Sequence, residues 1–241
     1  MTNLHNDLID LAENDFKDLK FFEAKIFEKG DHADFLYFAV MLLHKTNFLK
    51  EEMQKPWGGY NPSKPNQFKF RRYIVLKRNI MLGVGTEYLL KAIFLKNEYG
   101  INKIKNKHRL IFPYKLNNTT RNFLDQCETV TFWILKENIE KIIDFSSFDN
   151  TTKKENDKFE QKEKMTKKPS NLTRLYYKIP NSKGCLNLIY GIRNNYSHNA
   201  FIKSEFNGFI NNAFNFLNFL TQLEFGKNIE ELYEDYKPEG D

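Results

Sequence analysis

The sequence predicts an all-α protein built as a helical bundle. In several long segments apolar residues recur at three- and four-residue intervals, as they do on the buried side of amphipathic helices. The two-residue alternation that marks a half-buried strand does not persist anywhere, and Val is scarce. Hydrophobic residues make up 41% of the 241 residues, which is enough for a substantial buried core. We therefore expect one or two helical domains and no sizeable sheet.

In the N-terminal part, residues 1–54, the apolar spacing predicts two additional helices packed on the core. An apolar stripe from Leu4 to Ile26 indicates the first helix, and Gly30 follows where a helix commonly ends. Asp31 is a suitable cap for a second helix that extends to about Met53. The next segment, 55–67, contains three Pro and two Gly, so we expect a long loop there.

The main domain is predicted to cover residues 68–225 and to begin with two more helices. The first runs from Phe68 to about Glu98 and stops before Gly100. A basic, irregular stretch over 101–118 separates it from the second, which begins at Thr119 or Thr120 and ends near Asp144.

The second half of this domain contains a charged insertion and two further helices. Residues 150–171 are rich in Lys and almost free of apolar side chains, which predicts a solvated, flexible segment. A helix capped by Ser182 is expected over residues 186–202, and a Phe-rich helix over 206–223. We expect residues 226–241 to form an acidic C-terminal tail.

Charge and cysteine content limit the classes of function. The net charge of +6 favours an anionic partner such as nucleic acid, although the same lysines also suit solvated helix faces. Cys127 and Cys185 lack the spacing of a zinc site or a disulfide framework, so we expect the reducing cytoplasm. We expect no association with a membrane, since no apolar run approaches the length of a membrane span.

One cluster of polar residues interrupts the apolar pattern of the helix after Ser182. The segment Ile192-Arg-Asn-Asn-Tyr-Ser-His198 places an Arg five residues before a His. Arg193 and His198 lie about 140° apart on an ideal helix, so they can flank a groove without touching each other. Asn194 shares a face with His198 at four residues' separation.

This segment resembles the Arg-x4-6-His motif of the HEPN family, including the polar residue that follows the Arg. A second stretch, Gly85-Thr-Glu-Tyr-Leu-Leu-Lys-Ala-Ile-Phe94, is similar to the Glu-containing helix found upstream of that motif. The resemblance implies an all-helical, HEPN-like fold and a homodimer whose two motif helices form one composite site. It also implies an antitoxin or another regulatory partner, although Ala200 stands where many such toxins carry the Tyr that their antitoxin modifies.

The chemistry implied by the resemblance is cleavage of RNA by its own 2′-hydroxyl, without a metal or another cofactor. His198 would transfer the proton, and Arg193 would stabilise the charge on the phosphate. Asn194 would orient His198 or bind a phosphate oxygen. Tyr196 is expected either to contact the RNA or to pack in the core. Glu87 and Lys91 are assigned to substrate binding, but their four-residue spacing also suits a simple ion pair.

Three functions are compatible with these residues. The first is a metal-independent endoribonuclease of a toxin or antiviral defence system. The second is a non-catalytic HEPN-type module that binds nucleotides or a protein through the same groove. In the third, a helical interaction protein, Arg193 and His198 only satisfy buried polar groups or an ion pair between subunits.

Overall fold

The fold class is as predicted: the protein is an all-α bundle. The computed structural model describes residues 32–54, 65–106, 109–116, 129–166, 179–198 and 207–237. Seven α-helices lie within these ranges, together with one hairpin of two three-residue strands. The first predicted helix and the loop residues 55–64 lie outside the described residues. No helix among the described ranges is long and apolar enough to cross a membrane.

Two apolar helices that pack on each other form the centre of the bundle. Helix α1, His32–Gln54, matches the second predicted helix and packs on α2, Pro65–Lys96. Helix α2 is buried on all sides over its second half, since nearly every side chain from Met81 to Leu95 is buried. The predicted loop is wrong at its end, because α2 begins at Pro65. Proline is well suited to the first helical position, where no backbone donor is needed.

Two glycines on α2 allow its neighbours to approach closely. A Cβ at Gly85 would lie 2.9 Å from Cγ of Leu43 on α1. A Cβ at Gly83 would lie 2.6 Å from Cβ of Arg193, on a helix described below. Both distances are too short for a real side chain. Gly83 and Gly85 therefore set the distance of α2 from the helices on either side of it.

A short hairpin follows α2, where the sequence predicts an irregular basic stretch. The chain leaves α2 through Glu98, which has a positive φ of 62°. Strand β1, Ile104–Asn106, then pairs antiparallel with β2, Arg109–Ile111, with Ile104 opposite Ile111. Phe112, just after β2, stacks on Phe94 of α2 at a ring distance of 5.1 Å. The hairpin is thereby attached to the end of the central helix.

The predicted helix from Thr119 to Asp144 is wrong in its middle. Thr129 forms a β-bridge with Asn102, and the N–H of Val130 donates to the carbonyl of Ile101 at 2.7 Å. This pairing buries Val130 and keeps the backbone extended until helix α3, Phe132–Asn138. One 3-10 turn, Ile139–Lys141, follows α3. Apolar spacing alone does not reveal such a tertiary hydrogen bond.

The predicted flexible insertion is wrong where the structure describes it, because helix α4 spans Ser146–Thr166. The carboxylate of Asp144 accepts hydrogen bonds from the backbone and the hydroxyl of Ser146, at 2.9 and 2.7 Å, and these bonds lower its pKa. Lys, Glu and Gln are good helix formers, so the chain continues as a helix although most of its side chains are exposed. Residues 167–171 lie outside the described residues.

The last three helices complete the bundle. Helix α5, Ser182–His198, packs on α2, and helix α6, Asn207–Phe225, packs on α5. The predicted tail is wrong over residues 229–236, which form helix α7, Ile229–Tyr236. Asn228 and Glu231 form a capping box at its start, and Ile229 and Leu232 are buried. Helix α7 packs on α1, so this acidic segment belongs to the folded domain.

Candidate functional site

The polar motif lies in the second half of α5, the helix that crosses central helix α2. The first turn of α5 is held by α4, since the carboxylate of Asp149 accepts hydrogen bonds from the N–H and the hydroxyl of Ser182, at 2.7 and 3.0 Å. Leu186, Ile189 and Ile192 are buried at helical spacing. Their burial orients α5, so the next residue, Arg193, lies against α2.

Arg193 lies across two residues of α2 that are one helical turn apart. The aliphatic part of its side chain covers Gly83, where any side chain would collide with it. Its guanidinium then reaches Glu87, with Nη2 2.7 Å from Oε2 of the carboxylate. The guanidinium carbon also lies 5.8 Å from the ring centre of Phe132 on α3. Three helices therefore fix the position of this one cation.

Glu87 holds a second cation through its other oxygen. Nζ of Lys91 lies 3.1 Å from Oε1 of Glu87, four residues away on α2. The Lys91 side chain is only 1% exposed, and its ammonium lies 5.8 Å from the ring of Phe35 and 5.4 Å from that of Tyr88. The two motif segments thus meet in a single Lys91–Glu87–Arg193 ion network.

This network changes the roles that the sequence suggests for Glu87 and Lys91. Lys91 is assigned to substrate binding, but its ammonium is enclosed by protein and does not face a groove. Glu87 is also buried, so it contacts the two cations rather than solvent. The Arg193 side chain, by contrast, is 32% exposed. Of the three charged side chains in the network, that of Arg193 is the most exposed.

The remaining motif residues are placed by the backbone of α5. Asn194 is half-buried beside Arg193. Tyr196 lies in the last turn, and His198 is the final residue of the helix. Their side chains lie outside what the structure describes. Residues five apart are separated by about 7.5 Å along an ideal helix and about 140° around it, so the helix places Arg193 and His198 on different sides.

An aromatic cluster next to Arg193 is not predicted by the sequence analysis. Tyr190, one turn before Arg193 on α5, contacts the rings of Phe132 and Trp133 at 5.7 and 5.3 Å. Lys136 lies below the indole of Trp133, with Nζ 3.7 Å from the ring centre. The only signal in the sequence is the spacing of Trp133 and Lys136 on α3. Their proximity to the motif is a consequence of how α3 packs on α5.

The hydrogen bonds of Lys136 join α3 to α5 beside this cluster. Its side chain is buried, and Nζ donates to Oδ1 of Asn187 at 2.8 Å and to the carboxylate of Glu137. The hydrogen bond from Lys136 lowers the pKa of Glu137, and the charges of Lys136 and Lys183 act in the same direction. Glu137 is therefore a carboxylate at neutral pH.

The sequence matches no protein-family model, and neither a curated protein nor a solved structure matches it. The resemblance to the HEPN family therefore stays a prediction that rests on the two motif segments.

Proposed function

We propose that the protein is a metal-independent endoribonuclease of a toxin or antiviral defence system. The observation that carries the proposal is the ion network, in which the Glu-containing segment and the Arg-x4-His segment meet at Arg193. The network holds Arg193 on a rigid pair of helices while leaving part of its side chain exposed to a ligand. A fixed and accessible guanidinium suits the bidentate recognition of a phosphate.

The proposed reaction needs one proton acceptor, one proton donor and a stabilised phosphate. The RNA 2′-hydroxyl loses its proton and attacks the adjacent phosphorus, and the bond to the 5′-oxygen of the next nucleotide breaks. The products are a 2′,3′-cyclic phosphate and a 5′-hydroxyl that has gained a proton. His198 moves protons in this scheme, since an imidazole titrates near neutral pH. Arg193 stabilises the additional charge on the phosphate oxygens.

Glu87 is a positioning residue in this scheme. A guanidinium has five N–H donors, so Arg193 can bond to Glu87 and to a phosphate at the same time. Two cations and one carboxylate leave a net positive charge in the network, which favours an anionic ligand at its exposed end. Lys91, which is enclosed beneath Glu87, offsets the negative charge that would otherwise compete with the phosphate for Arg193.

The site is proposed to be complete only in a homodimer. The positions of Arg193 and His198 lie about 140° apart around α5, so one RNA phosphate meets both groups more readily when two copies of α5 face each other. The protein is proposed to act in the cytoplasm, where its two cysteines remain reduced. An antitoxin or another regulatory partner is proposed to hold the nuclease inactive until it is needed.

Cleavage of total and synthetic RNA in the presence of EDTA tests the proposal. Wild type is compared with His198→Ala, Arg193→Ala and a matched control, Lys227→Ala, which removes an exposed cation that pairs with Asp235 of α7. We expect cleavage by wild type and Lys227→Ala, and loss of activity by about 10²-fold or more in the other two variants. Equal cleavage by all four proteins would contradict the proposal.

One observation favours a second function, a non-catalytic module that binds nucleotides or a protein. The ion pair between Arg193 and the buried Glu87 is also what a purely structural link between two helices requires. Under this reading wild type leaves RNA intact. Binding of RNA or a nucleotide by wild type, and its loss in Arg193→Ala, would then identify the binding module.

A further inference from the structure

Trp133 is a large apolar side chain that the fold leaves open to solvent. Its side chain is 47% exposed, whereas those of Phe132 and Leu135 on the same helix are buried. Single exposed apolar residues are ordinary on protein surfaces. Trp133 differs from them because contacts with Lys136 and Tyr190 hold its ring in place near the ion network.

Two contacts fix the indole. The buried ammonium of Lys136 lies 3.7 Å from its ring centre, and the ring of Tyr190 lies 5.3 Å away at a tilt of 54°. The ammonium of Lys136 is itself held in place by hydrogen bonds to Asn187 and Glu137. A cation against one side of an indole is a favourable contact, and Trp is the best of the aromatic partners. The ring is therefore pre-arranged, and its exposed part can receive a flat ligand with little loss of side-chain freedom.

The position of Trp133 relates it to Arg193. Tyr190 contacts Trp133 and lies three residues before Arg193, on the same side of α5. Phe132 contacts both Tyr190 and the guanidinium of Arg193. Contacts therefore link the indole of Trp133 through the rings of Tyr190 and Phe132 to the guanidinium of Arg193, whose side chain is partly exposed. An aromatic ring beside a cation is the pairing that proteins use for single-stranded nucleic acid, with the base on the ring and the phosphate on the cation.

We propose that Trp133 is a stacking site for a nucleobase of single-stranded RNA whose phosphate is held by Arg193. This inference rests on the proposed function for the identity of the ligand, and it extends that function by naming a base-binding residue outside the motif. A stacking face has no hydrogen-bond pattern of its own, so the site accepts different bases. The RNA would be selected for being single-stranded rather than for one sequence at this position.

The test uses Trp133 as its own reporter. The chain has two Trp, so Trp57→Phe leaves Trp133 as the single indole, and His198→Ala in the same protein prevents cleavage during the measurement. We expect a single-stranded RNA oligonucleotide to quench the fluorescence of Trp133 in a saturable manner. An oligonucleotide of the same length and charge with abasic sites should bind through its phosphates and leave the fluorescence unchanged. Quenching by neither oligonucleotide, while RNA is bound, would overturn the proposal.

Affinity measurements on variants give an independent readout. Trp133→Ala should weaken RNA binding roughly five- to hundredfold, the range of one base stacked on one aromatic ring. Trp133→Phe should restore much of the affinity, since it restores an aromatic face. Leu223→Ala is the matched control, because Leu223 is an equally exposed apolar residue on another helix. Equal affinity of Trp133→Ala and Leu223→Ala would overturn the proposal.

The same variants separate this inference from its alternatives. If a second copy of the chain covers Trp133, then Trp133→Ala changes the oligomeric state in sedimentation velocity without changing the affinity for RNA, and the proposal fails. If wild type does not cleave RNA but binds it with dependence on Trp133, the nuclease proposal fails and the stacking site stands. If wild type cleaves RNA and Trp133→Ala binds and cleaves it equally well, only the stacking site fails.

Discussion

The carboxylate of Glu87 lies between two cations, Lys91 on its own helix and Arg193 on α5. Lys91 is enclosed among apolar and aromatic side chains, where an unpaired ammonium would be strongly unfavourable. The negative charge of Glu87 compensates this buried cation. The same carboxylate fixes Arg193, so stability and the geometry of the candidate site depend on a single residue.

Replacement of Glu87 is expected to destabilise the fold because it leaves Lys91 buried without a partner. We expect Glu87→Gln to lower the free energy of unfolding by on the order of 3 kcal/mol. The double variant Glu87→Gln/Lys91→Met should recover much of this loss, since it removes both buried charges. Urea unfolding followed by circular dichroism measures both values.

Asp235→Asn provides the control for that prediction. Asp235 pairs with Lys227 in an ion pair whose two side chains are 45% and 48% exposed. Its loss should change the free energy of unfolding little, because exposed ion pairs contribute little to stability. A loss of stability in Glu87→Gln no greater than that in Asp235→Asn would show that Glu87 does not stabilise a buried Lys91.

Cys185 is predicted to be inert as long as the protein is folded. Burial raises the pKa of its thiol to about 12, and the charge of Asp149 adds to the effect. The folded state therefore favours the protonated thiol. This contribution to stability is complete below a pH of about 9.0, the ordinary value, and is lost as the pH rises through about 12.

Alkylation kinetics in a Cys127→Ser background test this expectation. Reaction at Cys185 should be slow in native protein at mildly alkaline pH and should accelerate in urea, because only opened molecules expose the thiol. As the pH rises from about 9.0 to about 12, the free energy of unfolding should fall more steeply for the protein with Cys185 than for a Cys185→Ala variant. Rapid alkylation of the native protein would contradict the burial of this residue.

At the scale of the elements, the crossing of α2 and α5 depends on Gly83. Its missing side chain makes room for the Cβ, Cγ and Cδ atoms of Arg193 at 2.6, 2.8 and 3.0 Å from the place where a Cβ would be. Because Cβ of Arg193 is fixed to its backbone, the two helices would have to separate to admit a methyl group. Gly191, on α5, has no neighbour within 4 Å of such a position.

A pair of Gly→Ala variants tests the crossing. Gly191→Ala is expected to stabilise the protein by about 0.5 to 1 kcal/mol, since alanine is the better helix former. Gly83→Ala gains the same helix preference but should destabilise the protein by roughly 1 to 3 kcal/mol through overpacking. Thermal and urea unfolding of both variants give the comparison. Stabilisation by both substitutions would mean that α2 and α5 do not approach each other this closely.

The elements also show which parts of the fold are readable from the sequence. Helices α1, α2 and α6 are predicted with nearly correct bounds, because each buries a continuous apolar face, whereas α5 begins four residues earlier than predicted and residues 199–202 lie outside the described residues. Helices α4 and α7 are missed, since α4 is mostly exposed and α7 is short and acidic. What identifies them is local chemistry: the bonds of Ser146 to Asp144 and the capping box of Asn228. Apolar spacing does not report such contacts.

The candidate site is readable only in part for a related reason. The four-residue spacing of Glu87 and Lys91 predicts their ion pair, and the structure contains it. The contact of Glu87 with Arg193 joins residues that are far apart in the chain, so only tertiary packing creates it. The same is true of Trp133 and Tyr190, whose rings meet because α3 lies against α5.

At the scale of the whole molecule, several helices pack around the crossing of α2 and α5. Helix α1 covers α2, α6 packs on α5, and α4 holds the first turn of α5 through Asp149 and Ser182. A site carried by packed helices keeps its groups in place better than a site on loops. Arg193 and His198 are far enough apart on α5 that the proposed reaction depends on a second copy of the chain. Assembly of the dimer would then be a natural point of control.

The central claim is that Arg193 and His198 promote attack by an RNA 2′-hydroxyl. The most direct test compares, in EDTA, an RNA oligonucleotide with an otherwise identical one in which every ribose is 2′-deoxyribose. We predict that wild type cuts only the RNA and leaves a 2′,3′-cyclic phosphate, and that His198→Ala cuts neither. Cleavage of the deoxy oligonucleotide, or unchanged cleavage of the RNA by His198→Ala, would contradict the account.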